Sequence, residues 1–152
     1  MTPEGRLGRD VAEPREEMDA LLNFMFGFAR RQLAKHGEYY PFAAAIGSSG
    51  DPQAVGIDLG EEYPPSDQVI GALYDVLRRS ARAEEIRASG VCADVRVQPP
   101  GYSDRTDAIR ASIEHVEADP VEVFLPYSKK RVRGYDFGEI FAQVGTSHVF
   151  TS

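Results

Sequence analysis

The chain has 152 residues, 42% of them hydrophobic, which is enough for one domain with its own core. Its formal net charge of −7 gives no long-range attraction for phosphate backbones, so nucleic acid is not expected as a general partner. A single cysteine, Cys92, excludes an internal disulfide and gives no indication of secretion. The longest apolar stretch, residues 20–29, is too short to cross a bilayer, and the first residues lack the apolar segment of a signal peptide. We therefore expect a cytoplasmic protein with no membrane partner.

The N-terminal third predicts a tail followed by a long helix. Residues 1–14 are polar and rich in glycine, proline and charge, which predicts a disordered tail ahead of a single α+β domain over residues 15–152. Apolar residues at helical spacing predict a helix over residues 15–35. Phe24 and Phe26 fall outside its main apolar stripe, so this helix is expected to be covered on more than one side.

The middle of the chain predicts a hairpin and a second helix. Residues 42–46 and 54–59 are apolar runs on either side of a turn signal, a pattern typical of a β-hairpin. Amphipathic spacing then predicts a helix over Ser66–Arg82, with Ser66 as its N-cap.

The rest of the chain predicts strands. Alternation is clearest over residues 89–97, where Val91 and Ala93 lie on one side and Cys92 and Asp94 lie on the other, polar side. The other predicted strands are residues 108–116 and 121–126, with a turn at 118–120. Residues 132–150 are expected to form one bent strand, or a turn of helix and then a strand.

The resulting order, α-β-β-α-β-β-β, predicts an α+β fold. One antiparallel sheet of about five strands would be covered by two helices. This layout resembles Roadblock-type and profilin-like domains. The likeness concerns the fold alone and implies no function.

One polar and aromatic cluster is a candidate small-ligand site. His36, Glu38, Tyr39 and Tyr40 follow the first helix, and His115 ends the apolar face of a later strand. A histidine can transfer protons near neutral pH, and tyrosine hydroxyls can donate hydrogen bonds to a ligand. The alternative, which the sequence favours, is a helix-to-strand connection. In it the histidine complements the helix C-terminus and the aromatic rings cover the edge of the core.

A ridge on the first helix is a candidate surface for self-association. Leu21, Phe24 and Phe28 lie on a neighbouring face to the one expected to contact the sheet. Left in water, such a ridge would be an apolar patch of the kind that marks interfaces. The alternative is that the second helix or the C-terminal aromatic residues cover it within one chain.

A basic run near the C-terminus is a candidate patch for an anionic ligand or partner. The alternative is a solvated loop that protects a strand edge from aggregation. The run consists of Lys129, Lys130, Arg131 and Arg133.

No pattern predicts catalysis or metal binding. The three histidines lack zinc-ligand spacing, and the chain has neither a phosphate-binding loop nor a GxSxG motif. For Cys92 a packed, unreactive thiol is preferred over a catalytic one. We therefore predict no catalytic residue, no metal site and no cofactor, and favour a non-enzymatic role.

Four short motifs resemble a family of small uncharacterised bacterial proteins. They are residues 36–43, 107–109, 114–115 and 125–127, and the likeness would cover about residues 18–150. The family carries no assigned activity, so the resemblance implies no catalytic residues. The first functional hypothesis is a non-catalytic protein-interaction module that forms homo-oligomers or binds another protein. The alternatives are a small-ligand-binding protein or enzyme using the cluster at His36, and an immunity-type protein that binds a toxin.

Overall fold

The computed structural model describes residues 13–57, 60 and 64–151. Residues 1–12 of the predicted tail lie outside the described residues. Of the last two residues of that tail, Glu13 is the N-cap of the first helix and Pro14 belongs to the helix. Pro14 is its first residue, and the Glu13 backbone N–H ahead of it donates to Glu16 Oε1 at 3.0 Å. Proline suits this position because its missing N–H has no helical partner to lose.

The described residues form two helices and seven strands. The helices are α1 (Pro14–His36) and α2 (Ser66–Arg82). The strands are β1 (Phe42–Gly47), β2 (Pro52–Val55), β3 (Ile86–Val97), β4 (Thr106–His115), β5 (Ala118–Lys129), β6 (Tyr135–Phe137) and β7 (Phe141–Val144). All pairs are antiparallel, in one open sheet of order β2-β1-β3-β4-β5-β6. Strand β7 also pairs with β5, alongside a different part of it.

The predicted α+β class, the antiparallel sheet and its two helices are confirmed, but the predicted order with about five strands is wrong. Residues 132–150 form two short strands rather than one bent strand, because the chain leaves the sheet between β6 and β7. There the Gly138 N–H donates to the Pro126 carbonyl at 2.8 Å. The residues predicted as a turn at 118–120 belong to β5, and the turn lies at Val116 and Glu117.

Helix α1 packs on one face of the sheet. Its inward stripe is buried and consists of Leu21, Met25, Ala29 and Leu33. Burial of each large side chain contributes about 2 kcal/mol. Gly90 of β3 lies against the end of the Met25 side chain, and a Cβ at that position would require the Met25 thioether to move. A glycine in the middle of a central strand is therefore compatible with the close approach of α1.

Helix α2 packs on the opposite face through Val69, Leu73 and Leu77. The central strands are therefore covered on both sides, which explains why β1 is apolar along its length. The expected polar side of β3 is also covered, and Cys92 lies fully buried in the core on the α1 side. No helix of the described residues is long and apolar enough to span a membrane.

Glu114 fastens the C-terminal segment to the α2 side of the sheet. Its carboxylate is buried and accepts the backbone N–H groups of His148 and Val149 at 3.0 Å and of Phe150 at 3.3 Å. Arg78 of α2 donates to the His148 carbonyl at 2.7 Å. One carboxylate and one guanidinium therefore satisfy the backbone of a segment that has no strand partner.

Candidate ligand-binding site

The C-terminal end of α1 forms one wall of an open pocket. Phe28, Gln32 and His36 lie four residues apart and so share one face of the helix. Gly37 ends the helix in a left-handed conformation, with φ of 77°. Glycine adopts this conformation without steric cost. The turn places residues 38–42 beside the same face of α1.

The pocket has a volume of about 670 Å³. Residues from α2 and β3 complete it, Ser66 at the start of the helix and Asp94 in the strand. Its lining residues are Phe28, Gln32, His36, Glu38, Tyr39, Tyr40, Pro41, Phe42, Ser66 and Asp94. Four of the five residues predicted as a ligand site therefore lie in one pocket. Whether they bind a ligand remains a prediction.

Aromatic rings make up much of the pocket wall. Phe28 and Phe42 pack edge to face with ring centroids 4.7 Å apart, and Tyr39 and Phe42 do so at 6.0 Å. Such pairs are more stable than their buried area alone would make them. Tyr40 is 48% exposed, at the rim. The wall is therefore fixed by ring contacts within the chain, while one ring remains open to solvent.

Asp94 contributes a carboxylate from the sheet. Its Oδ1 accepts the hydroxyl of Tyr127, on β5, at 2.7 Å. Burial raises the pKa of Asp94 above its ordinary value. The hydrogen bond from Tyr127 opposes this rise, and the nearby Asp107 carboxylate adds to it. The protein therefore stabilises the ionised form of Asp94 less well than water would.

Two groups at the pocket, one in its wall and one beside it, are held in their neutral forms. Burial, more than any neighbouring charge, raises the pKa of the Tyr39 hydroxyl and that of the Cys92 thiol. The Tyr39 hydroxyl is enclosed and has no hydrogen-bond partner of good geometry among the described residues. A thiol in this state is a poor nucleophile, because the thiolate is the reactive form.

His115 lies at the other end of α1, away from the pocket. It is buried, and its Nε2 lies 2.8 Å from Oε1 of Glu17, in the first turns of the helix. Glu17 and His36 are 19 positions apart in the helix, or about 28 Å at 1.5 Å per residue. His115 Nδ1 accepts the Glu117 N–H at 3.0 Å, so the ring proton is on Nε2 and is donated to Glu17. The structure therefore does not join His115 to the other four predicted residues.

Arg87 completes the group around Glu17. The guanidinium donates from Nε to both Glu17 oxygens at 3.0 Å, and its Nη2 also bonds Oε2. Burial alone would raise the pKa of Glu17, but the hydrogen bonds from Arg87 and His115 outweigh it, and the pKa lies below its ordinary value. This carboxylate is therefore enclosed, charged and fully paired.

A β-bulge puts Arg87 in reach of Glu17. The pairing of β1 with β3 shifts between Ile46 and Gly47, which oppose Ala88 and Ile86, so that Arg87 is the extra residue. Ile86 packs with the α2 side of the core and Ala88 with the α1 side. Bulges commonly re-aim one side chain in this way.

The predicted association ridge is partly core. Leu21 has no exposed surface and packs against the sheet, so it cannot contact a second protein. Phe24 is half-buried against the same core, and Phe28 lines the pocket beside Phe42. Self-association through this ridge remains a prediction that rests on Phe24 and Phe28.

The basic run lies at the end of β5 and in the connection to β6, and all four side chains are exposed. Lys130 Nζ lies 3.6 Å from Oδ1 of Asp136. Its backbone N–H donates to the Gly134 carbonyl at 3.0 Å, which closes the loop. The placement agrees with either sequence interpretation, a docking patch or a solvated loop.

Sequence reasoning missed several pocket residues. Phe28 and Gln32 carried a usable signal, since they precede His36 at intervals of four in a helix. Asp94 was detectable as a charge two positions after the buried Cys92 on the same side of β3. Ser66 carried no signal, because its position depends on where α2 begins relative to the sheet.

The described residues offer little for other kinds of site. No group of three or more His, Cys, Asp or Glu side chains among them is arranged to hold a metal ion. A smaller pocket of about 310 Å³ lies near Tyr102, Asp136 and Phe137. Tyr127 lines this smaller pocket and also donates the hydrogen bond to Asp94 in the larger one.

No protein-family model, curated protein or solved structure matches the chain. The likeness to Roadblock-type and profilin-like layouts and the resemblance to a bacterial family therefore remain predictions.

Proposed function

We propose that the protein binds a small organic molecule in the pocket at the C-terminal end of α1, without transforming it. The observation that carries this proposal is the pocket itself. Its volume of about 670 Å³ falls within the range of roughly 300–1,000 Å³ that small-molecule sites occupy. Its wall combines aromatic rings with a few polar groups, as such sites do.

The pocket is supported by regular structure. Phe28, Gln32 and His36 belong to α1, Phe42 to β1 and Asp94 to β3. Side chains on helices and strands hold a binding geometry better than side chains on loops do. Tyr127 fixes Asp94 through a 2.7 Å hydrogen bond, which adds a second layer of support.

The chemistry of the residues at and beside the pocket supports binding without catalysis. A nucleophile needs a base close by, and a general base needs a group that orients it. Burial keeps the Cys92 thiol and the Tyr39 hydroxyl protonated. His36 is exposed, and no hydrogen bond from the described residues orients its ring.

Titration of ¹⁵N-labelled protein with phenol and with indole, followed by backbone NMR shifts, tests this function. We expect saturable shifts confined to residues around the pocket. Gln32→Trp fills the pocket and is expected to abolish them. Lys35→Trp adds the same ring to an exposed position of α1 outside the pocket and is expected to leave them unchanged. Absent or unsaturable shifts, or shifts that persist in Gln32→Trp, overturn the proposal.

Self-association is not favoured as a competing function. Leu21, one third of the ridge, is enclosed by its own chain, and Phe28 belongs to the pocket. Sedimentation of the Phe24→Asp variant and of the unchanged protein at high concentration separates the two ideas. A dimer that Phe24→Asp dissolves into a folded monomer would restore the interaction module to first place.

A further inference from the structure

On the basis of the binding function proposed above, we infer that the ligand is an organic ammonium ion, a positively charged nitrogen surrounded by carbon. Two independent properties of the pocket converge on this class of ligand. One is the sign of its charges, and the other is the aromatic character of its wall.

The charged groups of the pocket are acidic. Glu38 and Asp94 are carboxylates, and none of the ten lining residues is lysine or arginine. The last turn of α1 brings the negative end of a helix dipole near His36, partly offset by Lys35 in the same turn. The N-terminus of α2, at Ser66, contributes the opposite partial charge, but Asp67 follows in the same turn. An anionic ligand would therefore be repelled and a cation attracted.

The wall selects the kind of cation. Phe28, Tyr39, Tyr40 and Phe42 line the pocket, and aromatic faces attract alkylated ammonium groups, which lose little hydration on entering. A metal ion needs several oxygen ligands instead. The lining offers two carboxylates, and the described residues hold no metal-type cluster. An organic cation is the ligand that satisfies both the rings and the carboxylates.

Asp94 is the group expected to set the preference. Its Oδ1 accepts the Tyr127 hydroxyl, so the carboxylate is held in a fixed orientation at the pocket, although the residue is exposed. No ion pair of Asp94 is formed among the described residues, and a cation in the pocket would supply one. Glu38 is also exposed and is expected to contribute less, because no hydrogen bond from the described residues holds its carboxylate in place.

Choline and its neutral isostere, the dimethylbutanol with a tert-butyl group in place of trimethylammonium, form a matched pair of probes. Titrations by NMR are expected to show choline binding at least about tenfold more tightly than the isostere. Asp94→Asn is expected to remove most of that preference by weakening the binding of choline. Asp51→Asn removes the same charge at an exposed site outside the pocket and is expected to keep the preference.

The outcomes separate the ligand class from the pocket function. Equal affinities for the two probes, no binding of choline, or a preference that survives Asp94→Asn each overturn the ammonium assignment. Phenol and indole decide the pocket function independently. If they bind while choline does not, the pocket remains a binding site with a different ligand. If they also fail, both proposals are overturned.

Discussion

At its N-terminal end α1 meets the sheet through a carboxylate that is enclosed and fully paired, whereas at its C-terminal end it borders a pocket that is open. Glu17 receives hydrogen bonds from Arg87 and His115, and its pKa lies below the ordinary value. Asp94 receives one hydrogen bond, from Tyr127, and its pKa lies above the ordinary value. A carboxylate therefore stabilises the fold at the N-terminal end of α1. At the other end, the Asp94 carboxylate has a hydrogen bond but no ion pair among the described residues.

The largest effect is expected from Glu17→Gln. The change leaves Arg87 and His115 without their anion in a site where Glu17 is 3% exposed. Breaking a buried pair from one side is strongly destabilising, so the free energy of unfolding should fall by about 3 kcal/mol. Urea unfolding measures it. Asp19→Asn, at an exposed position of the same helix, is the control and should change little. If Glu17→Gln lowers the free energy of unfolding no more than Asp19→Asn does, the contacts of Glu17 with Arg87 and His115 add no stability.

A smaller loss is expected from Glu114→Gln, on the opposite face of the sheet. An amide oxygen can replace part of what the carboxylate does, but not three N–H contacts to a charged acceptor. We expect a loss of about 2 kcal/mol and faster hydrogen exchange at residues 148–150 before the rest of the sheet. Glu85→Gln, at an exposed site, is the control. Unchanged hydrogen exchange at residues 148–150 would contradict the conclusion that Glu114 holds this segment against the sheet.

The smallest effect, and the opposite sign, is expected from Asp94→Asn. The raised pKa of Asp94 means that its charged form opposes folding at neutral pH. Removing the charge should therefore leave stability unchanged or slightly higher, since the amide oxygen can still accept the Tyr127 hydroxyl. Urea unfolding at pH 7 checks the sign. A loss as large as that of Glu17→Gln would remove the contrast between the two ends.

The pH dependence of the same variants sharpens the contrast. The stability that Glu17 contributes is present above its ordinary pKa of 4.5 and is lost as pH falls through the lower folded value. The opposition from Asp94 is relieved as pH falls through its raised folded value towards its ordinary 3.8. At neutral pH the unfolding free energy of Glu17→Gln should lie below that of the unchanged protein, and that of Asp94→Asn at or slightly above it. Both differences should become smaller as the pH falls. Differences that do not vary with pH would contradict both assignments.

The sequence predicts this fold well where the signal is local. The spacing of apolar residues and the glycine at 37 place α1 to within a residue at each end, because helical period and end signals act over a few positions. The C-terminal strands could not be predicted in the same way. Both β6 and β7 lie along β5, and their short lengths depend on that pairing rather than on their own pattern.

The candidate site was also predictable only where its residues are neighbours in the chain. His36, Glu38, Tyr39 and Tyr40 meet in one pocket because they are neighbours in the chain around a single turn. Joining His115 to them required knowing which end of β4 lies at which end of α1, and that is a property of strand pairing. Leu21 was placed on the wrong face by a small error in helical phase. One residue of rotation is 100°, enough to exchange the core for the surface.

The bulge at Arg87 bears on how long β3 can be. Without the extra residue, Ile86 and Ala88 would be adjacent positions of a regular strand and would still lie on opposite faces, as they do now. A chain one residue shorter at this point would therefore keep the register of the sheet and both layers of the core. It would lose the guanidinium beside Glu17. The extra residue of β3 therefore serves a charge on α1 as well as one backbone hydrogen bond, from the Val116 N–H to the Arg87 carbonyl. A one-residue deletion here is expected to keep the strand order but to remove the ion pair.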